Sequence, residues 1–142
     1  MPSHEVAQDE RSINEVTSIL IVDDEALMLT YVDRILRGAG YLTTPTLDGA
    51  SAIKAAARID RFDLLLTDVH MPDLTGPELA RQLRKNDPSL KVLYLTGYRD
   101  QLFTEKVTYW EDEEFLEKPC SAAELLRAVS LALGRAPARV SR

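Results

Sequence analysis

Two hydrophobic rhythms alternate along the chain. Ile19-Leu20-Ile21-Val22, Leu64-Leu65-Leu66 and Val92-Leu93-Tyr94-Leu95 are short unbroken apolar runs. Runs of that length read as strands buried on both faces. Between them, apolar residues recur at spacings of three and four, the period of a helix with one buried face. Met28, Val32, Ile35, Leu36 and Ala39 predict a first helix, and Gly38 and Gly40 supply its stop. Tyr41-Leu42-Thr43-Thr44 predicts a short second strand ended by Pro45. Asp48 is a candidate N-cap for an Ala-rich helix over about 49–58.

The third strand ends at Asp68. Thr75-Gly-Pro-Glu78 has capping-box spacing with an early proline, which starts a third helix that Asp87-Pro88 ends. Phe115-Leu116-Glu117 predicts a fifth strand. Ser121-Ala-Ala-Glu124 is a second capping box, opening a helix with Leu125, Leu126, Val129 and Leu133 on its apolar face and Gly134 at its close. Between Tyr98 and Glu114 two readings compete. Phe103, Val107 and Trp110 have helical spacing, whereas Val107-Thr108-Tyr109-Trp110 has high strand propensity. The reading adopted is a fourth helix, irregular at its end. Five strand–helix units predict a three-layer α/β sandwich. Sheet order 2-1-3-4-5 puts strands 1 and 3 side by side.

At 142 residues the chain is read as one domain spanning 18–134. Residues 1–17 are polar and aperiodic, a flexible extension or a first helix with a partner contact. Residues 135–142 read as a tail or linker stub. No apolar stretch is long enough for membrane insertion, and the N-terminus lacks a signal-peptide segment, so the expected location is cytoplasmic. A net charge of -6 argues against direct nucleic-acid binding. The single cysteine, Cys120, excludes an intramolecular disulfide and a multi-cysteine metal site.

The chemistry sits where the apolar runs stop. Asp23 and Asp24 follow the first run, Asp68 the second, Thr96 the third, and Lys118 follows Phe115-Leu116-Glu117. Ligands of open parallel sheets bind at the carboxyl ends of the strands, near the point where strand order reverses. Three carboxylates there repel one another, and a hard divalent cation relieves that repulsion. Asp68 is a candidate nucleophile toward phosphorus, with Lys118 supplying charge and the Thr96 hydroxyl a hydrogen bond. Singly, each residue has a bland reading: Asp24 as a helix cap, Asp23 and Lys118 as solvated side chains. Their coincidence at four strand ends favours a site. The Lys118-Pro119 bond is a candidate cis peptide that aims the lysine back across the site.

Four pieces then carry a resemblance: Asp23-Asp24; Asp68-Val-His-Met71-Pro72-Asp-Leu-Thr-Gly76; Leu95-Thr96-Gly97; and Phe115-Leu-Glu-Lys118-Pro119. In this order, over about 18–134, they resemble the receiver domains of two-component response regulators, of the chemotaxis-regulator type. The resemblance implies a flavodoxin-like (βα)5 fold. It implies that Asp68 accepts a phosphoryl group from a histidine kinase or histidine phosphotransfer protein. It implies Mg2+, or Mn2+ in its place, held by Asp24 and Asp68, with Asp23 acting largely through water and the His70 backbone carbonyl as a further ligand. Backbone amides near His70 and Gly97 would face the phosphoryl oxygens. Thr96 and Phe115 would form the switch pair. An unknown downstream protein would read the face made by the fourth helix, fifth strand and fifth helix.

Some features depart from the common receiver pattern. Cys120 stands where an aromatic is frequent and reads as a small core filler, with a redox thiol as the alternative. Glu111-Asp112-Glu113-Glu114 precedes the fifth strand and reads as a solvated turn. The Tyr98–Glu114 segment resembles receivers of hybrid histidine kinases. Tyr98, Tyr109 and Trp110 are candidates for a binding or homodimer patch. His70 reads as exposed, engaged through its backbone. With Tyr98 it predicts slow autodephosphorylation, which a Tyr98→Ala variant would accelerate.

The alternative function is a receiver-fold interaction module that works without phosphorylation. Phosphatases using Asp-x-Asp need a carboxylate where His70 stands. No P-loop motif is present, and Gly38-Ala-Gly40 ends a helix, so neither nucleotide fingerprint applies.

Overall fold

In the computed structural model, residues 16–59, 61–97 and 114–134 are described. The strands are β1 (Ser18–Val22), β2 (Leu42–Thr46), β3 (Leu64–Asp68), β4 (Lys91–Thr96) and β5 (Glu114–Glu117). The helices are α1 (Ala26–Gly38), α2 (Gly49–Arg58), α3 (Gly76–Arg84) and α4 (Ala122–Ala132), the last being the fifth helix expected from sequence. All strand pairs are parallel, in the order β2-β1-β3-β4-β5. The expected architecture and strand order are those observed.

Strand alternation divides the core into two layers. Leu20, Val22, Leu65, Val92 and Tyr94 point to the layer that holds Ala52 of α2 and Leu79 and Leu83 of α3. Ile19, Ile21, Leu64, Leu66, Leu93 and Leu95 point to the layer that holds Val32 and Leu36 of α1 and Leu125 and Val129 of α4. Ile19–Val22 and Leu64–Leu66 have no exposed area. Each such side chain contributes about 1.5–3 kcal/mol of burial free energy. Covering both faces is why these strands read as continuous apolar runs.

Local signals behave as expected at most helix ends. Thr75–Glu78 and Ser121–Glu124 both form reciprocal capping boxes, and the Asp48 carboxylate caps α2 through the Ser51 N–H. Gly40 (φ 97°) turns the chain after α1 in a left-handed conformation that suits glycine. Cys120 is buried among the α4 side of the core, as a small filler.

Two boundaries differ from expectation. The second strand runs through Pro45 to Thr46 rather than stopping at Thr44. It is an outer strand of the sheet, and the Leu42 N–H points inward, to the Thr17 carbonyl. By alternation the nitrogen of Pro45 points outward, where no ladder bond is lost. The third helix ends at Arg84, short of Asp87-Pro88. There the Asp87 N–H bonds the Leu83 carbonyl in a turn, and the Arg84 guanidinium bonds the Leu90 carbonyl. The fourth helix expected over Tyr98–Glu114, the aromatic patch at Tyr98, Tyr109 and Trp110, and residues 1–15 and 135–142 of the terminal segments lie outside the described residues; Glu114 itself opens β5. No helix among the described residues is long and apolar enough to cross a membrane.

Candidate functional site

The site assembles at the carboxyl ends of β1, β3, β4 and β5. Asp23 follows β1 and prolongs its pairing, the Asp23 N–H donating to the Thr46 carbonyl at 3.1 Å. Its Oδ1 accepts the Glu25 N–H at 2.9 Å as the chain turns into α1. These two bonds hold Asp23 fully buried. Asp24 is exposed and does not cap α1; Glu25 occupies that position without a side-chain cap bond. Asp68 closes β3, paired with Leu95, and is buried. Because β1 lies beside β3, carboxylate oxygens of Asp23, Asp24 and Asp68 come within 4.8 Å of one another.

Lys118 follows β5. Its N–H donates to the Thr96 carbonyl at 2.8 Å, which carries the β4–β5 pairing one step further. Its Nζ lies 2.9 Å from Asp68 Oδ1, 3.2 Å from Asp23 Oδ2 and 3.5 Å from Glu25 Oε1. The Lys118–Pro119 bond is cis. Thr96 is buried at the end of β4, one residue past the Asp68–Leu95 pair, and Gly97 follows it. His70 is exposed two residues after Asp68. Phe115, half-buried on β5, stacks on Tyr94 at 5.2 Å between centroids and packs on the α2–α3 side of the core.

The electrostatics follow from burial. Burial, and then the neighbouring Asp23 carboxylate, push the Asp68 carboxyl up to about 7, against the opposing pull of Lys118. Burial raises Asp23 too, against the Glu25 N–H and Lys118. Burial alone would lower the Lys118 ammonium, but Asp68 and then Asp23 raise it, so it stays charged. Burial, with Glu124 adding to it, raises the Cys120 thiol, which disfavours a reactive thiolate.

Asp23 Oδ2 and Asp68 Oδ1 are buried and have no neutral hydrogen-bond donor among the described residues; both lean on the Lys118 ammonium. Two buried acceptors short of donors, beside an exposed third carboxylate, form an all-oxygen donor set. That set fits a hard divalent cation such as Mg2+ or Mn2+.

The loop after Asp68 is held from two sides. The Gly76 N–H donates to the Val69 carbonyl at 2.7 Å, and a Cβ on Gly76 would lie 2.4 Å from the Asp68 carbonyl oxygen. Only glycine admits that approach. Across the loop, the Asp73 carboxylate accepts the Gly49 and Ala50 N–H groups of α2, and that of Leu74. Slight burial is outweighed by these donors, which hold Asp73 below the usual carboxylate range.

Thus Asp23, Asp24, Asp68 and Lys118 converge, with Thr96, Gly97 and His70 at adjoining strand ends or loops. Phe115 lies one strand pair away, against Tyr94. Sequence reasoning missed Glu25 and Asp73. Glu25 adjoins Asp24, a weak hint. The reach of Asp73 across 24 positions to Gly49 leaves no local signal.

A family model for the response regulator receiver domain matches residues 19–130. The chain is 33% identical over 111 residues to the response regulator receiver protein CpdR of Brucella abortus, covering 78% of this chain and 92% of that one. It is 29% identical over 131 residues to the sensor kinase CckA of Brucella abortus, covering 87% of this chain but only 14% of the kinase. Among solved structures, a response regulator receiver protein from Sinorhizobium medicae superposes with a TM-score of 0.73 at 32% identity, covering 84% of this chain and 96% of that one.

Proposed function

The chain belongs to the response regulator receiver domain family, and from that premise we propose that Asp68 is its phosphoacceptor, charged by a histidine kinase or a histidine phosphotransfer protein. The observation that carries this is the Lys118 ammonium bridging Asp68 and Asp23, at 2.9 and 3.2 Å, beside the third carboxylate.

In the reaction, an Asp68 carboxylate oxygen attacks the phosphorus of the phosphohistidine. The P–N bond breaks and its electron pair returns to the imidazole ring. Mg2+ or Mn2+, held by Asp23, Asp24 and Asp68 with the His70 backbone carbonyl, would supply the charge that lets two anions approach. Lys118 then releases the Asp68 oxygen, now joined to phosphorus as an acyl phosphate, for a phosphoryl oxygen. The Thr96 hydroxyl and the Gly97 and His70 backbone amides serve the others. Movement of Thr96 frees Phe115 from its stack on Tyr94, and a downstream protein reads the changed face of β5 and α4. The proposed location is cytoplasmic.

The test is intact mass after incubation with Mg2+ and acetyl phosphate, with Asp68→Asn alongside. The expected result is one added phosphoryl group in the wild type only. Equal labelling of the variant would overturn the assignment of Asp68. No labelling from acetyl phosphate or from a phosphohistidine donor would leave a module that works without phosphorylation.

A further inference from the structure

We propose that Asp73 is a positioning residue for the metal and phosphoryl site: its carboxylate locks the loop after Asp68 onto the N-terminus of α2. The inference rests on the reading of Asp68 and His70 given above, because that loop carries His70.

The first turn of a helix leaves four N–H groups without helical partners. In α2 the first helical bond runs from the Ala52 N–H to the Asp48 carbonyl at 3.1 Å, so the N–H groups of Gly49, Ala50 and Ser51 need partners from elsewhere. Ser51 finds one locally, in the Asp48 carboxylate at 2.7 Å. Gly49 and Ala50 are satisfied from outside the helix. Gly49 donates to Asp73 Oδ1 at 3.1 Å and Ala50 to Asp73 Oδ2 at 2.8 Å. Oδ1 also accepts the Leu74 N–H at 2.9 Å, which fixes the carboxylate to its own loop. Shape reinforces charge here. A Cβ on Gly49 would lie 2.3 Å from Leu74 Cδ2, so helix and loop already touch. With the Gly76–Val69 bond closing the loop's far end, the segment between Val69 and Gly76 is tied at both sides.

A cap that only stabilised α2 could come from a neighbour, as Asp48 shows. Asp73 instead joins α2 to the backbone that follows the phosphoacceptor. Groups that orient ligands from behind typically affect metal affinity strongly.

Asp48 supplies the control. Asp48→Ala and Asp73→Ala each remove one carboxylate and one cap from the same helix terminus, but only the second touches the loop. Mg2+ is titrated calorimetrically into the full chain and both variants, and urea midpoints are measured in parallel. Both variants are expected to lose comparable stability. Asp73→Ala is expected to bind Mg2+ about tenfold more weakly, and Asp48→Ala within about twofold of the wild type. Equal Mg2+ affinities in the two variants would overturn the proposal. Should Asp73→Ala fail to fold, Asp73→Asn, which keeps one acceptor oxygen, is expected to lose Mg2+ affinity in the same direction by a smaller factor, and no loss there overturns the proposal as well. A wild type that binds no Mg2+ brings down the functional reading, and this inference with it.

Discussion

Two pairs of aspartates stand at the same end of the sheet and have opposite fates. Asp48 and Asp73 lie near the surface, their carboxylates occupied by backbone N–H groups of α2 and of the Asp73 loop. Asp23 and Asp68 are buried, with an ammonium in place of enough donors. Satisfied by backbone donors, a carboxylate caps a helix. Buried and short of donors, it is held in a state that a cation or a phosphoryl group can relieve. The side chain is the same; the strand end or loop that carries it decides the outcome.

The sharpest way to break this contrast is to remove the ammonium. Lys118→Ala is expected to destabilise the metal-free protein by about 3–5 kcal/mol at pH 8, because it leaves two buried carboxylates uncompensated. The loss is expected to shrink toward pH 5, where protons take the place of the ammonium. Urea unfolding at both pH values checks this, and a pH-independent loss would contradict it.

Gly76→Ala tests the loop that joins the two pairs. Its Cβ would meet the Asp68 carbonyl oxygen, so the backbone must move. A loss of about 2–3 kcal/mol is expected, with slower labelling by acetyl phosphate. Wild-type labelling in a destabilised variant would show that the position of the Asp68 backbone is not critical.

Asp68→Asn has an effect of opposite sign. The folded-state carboxyl titrates near 7 against an ordinary value of 3.8. Between those values the unfolded chain ionises while the folded one stays protonated. The wild type therefore loses stability as pH rises from about 4 to 7, and the loss is complete above 7. Asp68→Asn is expected to be more stable than the metal-free wild type at pH 8, and near equal to it at pH 4. Mg2+ binds the ionised form, so its stabilisation of the wild type should grow as pH rises through 7. Thermal melts with and without Mg2+ at three pH values would show this.

The fold was legible because buried parallel strands announce themselves. Ile19–Val22 and Leu64–Leu66 could sit only where both faces are covered, and the polar residue ending each run had to emerge at one edge. That logic reached Asp23, Asp68, Thr96 and Lys118. It reached the helix starts at Asp48, Thr75 and Ser121 because capping is written within four residues. Pro45 misled because proline ordinarily stops a strand, whereas an outer strand tolerates it on its free side. The partnership of Asp73 with Gly49 escaped because it is a tertiary contact between a loop and the start of a helix. So did the Tyr31 hydroxyl on α1, which donates to the Cys120 carbonyl 89 positions away. Gly76 looked like part of a helix-start signal; its tighter constraint is the carbonyl of Asp68.

The outward nitrogen of Pro45 has a consequence for how copies of the chain meet. β2 borders the sheet, and a border strand invites a strand from another molecule to add on and begin a fibril. Such an added strand would look for N–H donors along the outer rim of β2. At Pro45 it finds a ring carbon in place of a donor. A crowded solution of this protein thereby meets, in the middle of β2, a gap in the ladder that zipping sheet to sheet would need.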